Sequence, residues 1–538
     1  MTTRNEEPRY RSAAQRRLGE GDIDDLTAET LEARGTSASI TRRQLRGSSL
    51  LLVGRLIALV LNFAVQLLIV RYLSQADYGA FAYALSLVAL GETAVTIGLD
   101  RGVGRFLAMY DERGDHARLL GTLALTAGIV LSLGLAVVLV VIGLGDALIG
   151  TAVSDPHAVA LLIILIVLAP IQAADNLLSG ILAVFASARA IFFRKYLLAP
   201  GLRLAVVGLL IAGQEGVEFL AAGYVLTGLA GVLLYGGMLW RILVTHDIGS
   251  GVGWRDVRIP VREILAFTIP LMTTDLVYLA LNTSDAIILG HFWGTTEVAQ
   301  YRVVQPLVGL NQVVYSSFTL LYMPAASRLF ARGDRDGVAH LYWRTAIWMA
   351  VFSFPIFALT TSLAGPVMTA YESRYADSAV FLAMLSFAAY INVALGFNGL
   401  TLRVYGFVRY AVAINLAAAA ISLVLNLLLI PRFGALGAAT ATTISLISFN
   451  VLKQIGLRLG TGISMFDRRY IGVYATIGAA AIALTVSRVV LGPSLLPSLL
   501  LTAVASLVVL GLTRGSLDVA ETFPELLRLP FARRILGA

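Results

Sequence analysis

Amide, hydroxyl and charged side chains recur at helical spacing inside segments otherwise built from Leu, Ile, Val and Ala. In the first such segment Ser48, Arg55, Asn62 and Gln66 fall within a stripe ~40° wide at about 100° per residue. In the seventh, Thr274, Asp275, Tyr278, Asn282 and Asp285 span ~100°, and in the eighth Arg302, Gln305, Gln312 and Ser316 span ~80°. These side chains can bind hydroxyls and oxyanions and pair charges. They are poorly suited to making or breaking bonds. The chain has no cysteine, which removes thiol chemistry and thiolate metal sites. Its five histidines (His116, His157, His246, His291, His340) show no paired spacing, so no metal centre is expected. The acids between the apolar segments on the less basic side (Asp146, Asp155, Glu215, Glu218, Glu372, Asp377) are scattered, and no catalytic cluster forms. The expected function is not enzymatic.

Each polar group in these stripes has a plainer role beside the functional one. An ionisable side chain at mid-bilayer costs several kcal/mol unless it meets a partner or a wet cavity. Arg55 lies about two turns inside its segment and either snorkels to the interface or faces a cavity with its polar neighbours. Arg203 stands alone apart from Tyr196, where snorkelling or a structural ion pair competes with a binding role. Asp275 is deep, and either has a functional role or makes a buried interhelical hydrogen bond. For Asp285 and Arg302, nearer the far surface, a gate-closing salt bridge and plain solvation both suffice. Glu92 and Asp175 lack polar companions and are expected to pair structurally with a loop arginine.

The elements that must hold these groups are membrane helices. With 58% hydrophobic and 14% charged residues and a mean hydropathy of +0.80, the chain cannot cover itself for water, which takes roughly twice that charge. About 14 spans are expected: 48–70, 78–98, 119–143, 158–181, 196–213, 217–240, 264–289, 298–322, 342–364, 378–400, 411–430, 434–456, 470–491 and 494–513. Positive charge alternates between their connections. Of the 41 Lys+Arg, Arg71, Arg374, Arg432 and Arg488 are assigned to odd-numbered loops and Arg55, Arg203 and Arg302 to spans; the rest go to even-numbered loops and the tails. Basic loops are retained in the cytoplasm, so both termini are expected there, in a multi-pass protein of the cytoplasmic membrane. The net charge of +8 then reflects loops beside anionic membrane lipids, with no nucleic acid partner. Pro170, Pro200, Pro270, Pro306 and Pro355 predict kinks within spans. No connecting loop exceeds about 25 residues, too short for a folded catalytic domain.

The pattern repeats. Shifting the chain by 220 residues sets Asn62 on Asn282 and DYGAF (77–81) on EVAQY (297–301). The fold class is therefore all-α: a polytopic membrane protein with two pseudo-symmetric six-helix lobes and two C-terminal helices. The expected organisation is a cytoplasmic, disordered tail (1–47), an N-lobe (48–242), an inter-lobe loop (243–263), a C-lobe (264–458), the last two helices (470–513) and a cytoplasmic tail (514–538). Parallel repeats with cargo handled between them are a transporter plan.

Three segments carry a resemblance: RYLSQADYGAFAY (71–83), GLDRGVGRF (98–106) and NLLLIPRFGALGAATAT (426–442). With the span count and the repeat, they make residues 45–515 similar to the polysaccharide (O-antigen-type oligosaccharide) flippase family. That family lies in the multidrug/oligosaccharidyl-lipid/polysaccharide exporter superfamily. The resemblance implies translocation of an isoprenoid-linked (pyro)phosphate oligosaccharide by alternating access, in a monomeric transport unit working beside glycan-assembly enzymes. It implies that Arg55, then Arg203, meets the diphosphate, while Arg101 and Arg105 capture the head at the cytoplasmic mouth. Asn62, Gln66, Tyr278, Asn282, Gln305 and Gln312 would bind sugar hydroxyls. Asp275 or Asp285 would couple transport to H+ or Na+; no other cofactor is implied. A lipid II-type flippase and a cation-coupled multidrug exporter share this plan. An integral-membrane glycan polymerase fits less well, for lack of an extracytoplasmic domain.

Overall fold

Local chemistry starts many of the helices. Ser74, Asp115, Asp155 and Asp334 each sit one residue before a helix and accept a backbone N–H of its first turn. In a computed structural model, residues 53–144, 155–185, 192–245, 247–248, 252–253 and 255–517 are described, and among them there are helices and no strands. Twelve helices are long and apolar enough to cross a membrane, from Val53–Tyr72 to Leu495–Leu517. The protein is a multi-pass membrane protein. The amino-terminal tail, with Ser48, and Arg528, Arg533 and Arg534 of the carboxyl tail lie outside the described residues.

Two local features reconcile twelve helices with about 14 expected spans. The helix Val408–Thr461 is broken at Gly434 (φ 57°, ψ −135°) and doubles back. Tyr410 donates to the Leu452 carbonyl at 3.1 Å, and Gly437 packs on Leu429, so 408–433 and 435–461 form an antiparallel hairpin. The expected eighth span is interrupted, running as Thr295–Arg302, Gln305–Gly309 and Asn311–Ala331. Pro306, with no N–H to donate, lies in the first turn of the middle piece. Other prolines mark similar changes. Pro200 follows a π-helical stretch, Phe192–Leu198, and Pro355 precedes another, Ala358–Ser362. Pro170 lies just after the break between Pro156–Leu165 and Leu168–Phe185. Pro270 stays inside Val261–Asn282, whose break comes later, at Thr283.

The two halves share their largest core at one end. A buried cluster there draws on both, including Tyr78, Phe81 and Tyr83 from the first and Tyr301, Tyr371 and Leu382 from the second. At its centre the repeat-related turns meet. A side chain on Gly79 would run into the Thr295 carbonyl and the Ala299 methyl, the residue 220 positions on. Toward the other end, the first-half cluster around Val95, Leu107 and Tyr110 is joined from the second half by Ile264 and Phe267. A separate cluster packs the second half against Ile471–Leu491 and Leu495–Leu517.

Candidate functional site

A cavity of about 570 Å³, a size typical of small-molecule sites, is lined almost wholly by the second half. The seventh span supplies Thr274, Tyr278, Asn282 and, past the break at Thr283, Asp285. The interrupted eighth span supplies Gln305, Gln312 and Tyr315. Asn392 comes from Ala379–Ala394, and the hairpin contributes Asn415, Thr442, Phe449 and Lys453. From the first half, Arg101 reaches the wall. The lining is thus rich in amides and hydroxyls, which satisfy hydroxylated cargo in a medium that otherwise offers no hydrogen bonds.

Two charged arrangements frame it. Arg101 binds Asp275 with Nε at 2.7 Å and a terminal nitrogen at 2.5 Å, tying the halves together across the wall. The second Asp275 oxygen is buried without a hydrogen-bond partner. Deeper in, Asp285 is only 3% exposed, so plain solvation does not describe it. The Tyr301 hydroxyl donates to it at 2.5 Å and also contacts Thr442 at 3.1 Å, while Arg302 stands 3.7 Å away. Arg302 further donates to Ser86 of the first half at 3.1 Å and to the Asn282 carbonyl at 3.4 Å.

The residues singled out from the sequence divide in this conformation. Arg101, Tyr278, Asn282, Asp285, Gln305 and Gln312 line the cavity together, and Asp275 and Arg302 contact lining residues. Arg55 and Asn62 are exposed on Val53–Tyr72 and do not line it. Gln66 is engaged by the Tyr78 hydroxyl at 2.6 Å. Arg203 lies over the Tyr224 ring at 5.4 Å and Arg105 over Phe267 at 4.8 Å, both away from the lining. Asp175 pairs with Arg194, and Glu92 accepts from the Asn176 amide at 2.6 Å, so only one of these acids pairs with an arginine.

Sequence reasoning passed over Asn392, Asn415, Thr442, Tyr315 and Lys453. Single neutral polar residues in apolar runs form no stripe and raise no signal on a helical wheel. Lys453 had a signal that was misassigned. It lies close to the end of its run and was grouped with the loop cations, yet its side chain faces the cavity. Arg344, grouped the same way, also lies within a helix, Arg335–Phe357.

A family model described as "Polysaccharide biosynthesis protein" matches residues 44–330, more than half of the chain. An uncharacterized membrane protein of Methanocaldococcus jannaschii is 26% identical over 186 residues, which cover 34% of this chain and 36% of that relative. The match thus spans little more than a third of the relative's length. Among solved structures, the lipid II flippase MurJ in an inward closed conformation is similar with a TM-score of 0.66 at 13% identity, covering 88% of this chain and 99% of that one. An inward-facing multidrug resistance MATE family transporter of the MOP superfamily is similar with a TM-score of 0.60 at 16% identity, covering 75% and 93%. At these identities the likeness is one of fold.

Proposed function

The chain belongs to the polysaccharide biosynthesis protein family, and from that premise we propose that it flips an isoprenoid-linked (pyro)phosphate oligosaccharide across the cytoplasmic membrane. The observation that carries this reading is the amide-rich cavity in the second half of a membrane-embedded chain, with Arg101 of the first half in its wall. A glycan cannot cross hydrocarbon with its hydroxyls unpaired. The isoprenoid can stay in lipid while the head passes through this cavity. Asn282, Gln305 and Gln312 receive hydroxyls, and Arg101 meets the head on entry. The Arg-rich even-numbered loops and both termini face the cytoplasm, where the cargo is loaded. Arg55 and Arg203 contact the diphosphate only once the halves have rocked to another arrangement. Asp275 and Asp285 exchange a proton or sodium ion as the ion pairs to Arg101 and Arg302 open and close.

The purified chain in proteoliposomes tests this. A fluorescent lipid-linked oligosaccharide should become accessible to a membrane-impermeant quencher faster than in protein-free vesicles. Equal rates in the two preparations would exclude flipping of that cargo. An imposed proton or sodium gradient should change the rate, and indifference to both would remove Asp275 and Asp285 from any coupling role.

A further inference from the structure

Lys453 stands on the cavity wall. It lies in the second arm of the hairpin, two turns before Thr461, and its ammonium sits 3.4 Å from the centre of the Phe449 ring. Among the described residues no carboxylate lies within ion-pair distance of it and none of its N–H groups is hydrogen-bonded. This contrasts with Arg101 and Arg302, each beside an aspartate. The aromatic face compensates part of the charge. It leaves the ammonium's donors unused in a place where an unmatched cation is costly.

The surroundings add donors instead of acceptors. A second cation, the exposed Arg403, lies one helical turn from a residue that packs against Lys453. Arg403 too lacks a carboxylate within ion-pair distance among the described residues. It is carried by the short helix Asn398–Val404, whose Gly399 faces the Lys453 side chain closely enough that an added methyl would touch Nζ at 3.7 Å. Gly399 and Arg403 are four residues apart and share a helix face. In the same helix Asn398, 3% exposed, has an amide nitrogen with no acceptor. Two cations carried by packed elements without an acid in ion-pair distance suit an acceptor that carries negative charge on several oxygens.

We infer that Lys453, on the cavity wall, and Arg403, exposed outside its lining, together form a phosphate-oxyanion site at the edge of the cavity, occupied by the diphosphate of the cargo. This deepens the flippase reading and rests on it. It assigns the anion to the second half of the chain, while the Arg55 and Arg203 expectations assign it to the first. Bilayer phospholipid carries the same chemistry, so the test must separate the two sources.

Full-length protein in neutral-lipid nanodiscs would be titrated with a prenyl diphosphate, the matching uncharged prenol and phosphatidylglycerol. The diphosphate should bind at least tenfold more tightly than the prenol and than phosphatidylglycerol. Lys453→Gln and Arg403→Gln should each lower diphosphate affinity about tenfold and leave prenol binding unchanged. Lys453→Arg, with the charge kept, should stay within about threefold of the parent. Diphosphate preference unaltered by either Gln variant would overturn the site and leave the flippase reading standing. Phosphatidylglycerol binding as tightly as the diphosphate would overturn the assignment to cargo. No diphosphate preference in the parent protein would overturn both.

Discussion

A buried guanidinium meets a part-exposed carboxylate where Arg194 pairs with Asp175, with the guanidinium 3.7 Å from the Tyr235 ring centre. The Arg194 side chain is only 8% exposed, so its charge depends on that one carboxylate and ring. Gly231 leaves the room: a side chain there would strike Arg194. Removing one partner of a buried pair strands the other charge, which costs roughly 3–5 kcal/mol. Asp175→Ala should therefore lower stability by about that amount, with Asp175→Asn losing less because it keeps an acceptor. Thermal unfolding of the detergent-solubilised variants checks this, and an unchanged midpoint would mean that water already solvates the pair. At this scale the sequence was partly legible. Asn282, Gln305 and Gln312 announced themselves because several polar residues shared one helical face. Lys453 and Asn415 did not, since what makes them site residues is the neighbour opposite. Arg403 and Asn398 come from another helix, and that proximity is tertiary.

Elements were legible where a break carries a residue that requires it. The PRFG step inside the long apolar run 408–461 splits it, and the expected spans 411–430 and 434–456 correspond to the two arms of the hairpin. Gly434 adopts φ 57° with ψ −135°, a backbone region that side chains disfavour. The turn is anchored on both sides: Trp293 donates to the Ile430 carbonyl at 2.8 Å and the Ala435 N–H donates to Glu297 at 3.2 Å. Gly434→Ala should cost about 1–3 kcal/mol in backbone strain. The new methyl would also lie 3.2 Å from Glu297 and the Trp293 ring. A lower unfolding midpoint, with the far-ultraviolet helical signal retained, is the expected result; an unshifted midpoint would show that the turn relaxes without strain. The eighth span was less legible. Hydropathy registers 298–322 as continuous, while its three pieces place Gln305, Gly309 and Gln312 beside the cavity.

Two of the four arginines that break the charge alternation, Arg71 and Arg374, help to hold the molecule together. Arg71 donates across the halves to the carbonyls of Ala370 and Tyr371 at 2.8 and 3.0 Å. Arg374 returns the contact to Val70, Arg71 and Leu73 at 3.2, 2.9 and 3.2 Å. Each guanidinium thus meets the free carbonyls at the end of a helix from the other half, where a cation is favoured. Gln75 adds a bond to the Arg374 carbonyl at 2.7 Å. A bundle that rocks between two openings must release these contacts in every cycle, because they close the end that carries the shared core. The absence of native cysteine makes this testable. Gln75→Cys combined with Ser373→Cys places thiols on either side of the clasp without removing either arginine. Joined by a flexible, reducible bifunctional reagent, the double variant should flip cargo at a small fraction of its unlinked rate and recover when the linker is cleaved. Each single variant treated alike should keep its rate. Undiminished flipping by the linked protein would mean that cargo crosses without parting the two halves at this end, and the rocking mechanism would have to be replaced by one in which the cavity opens sideways to lipid.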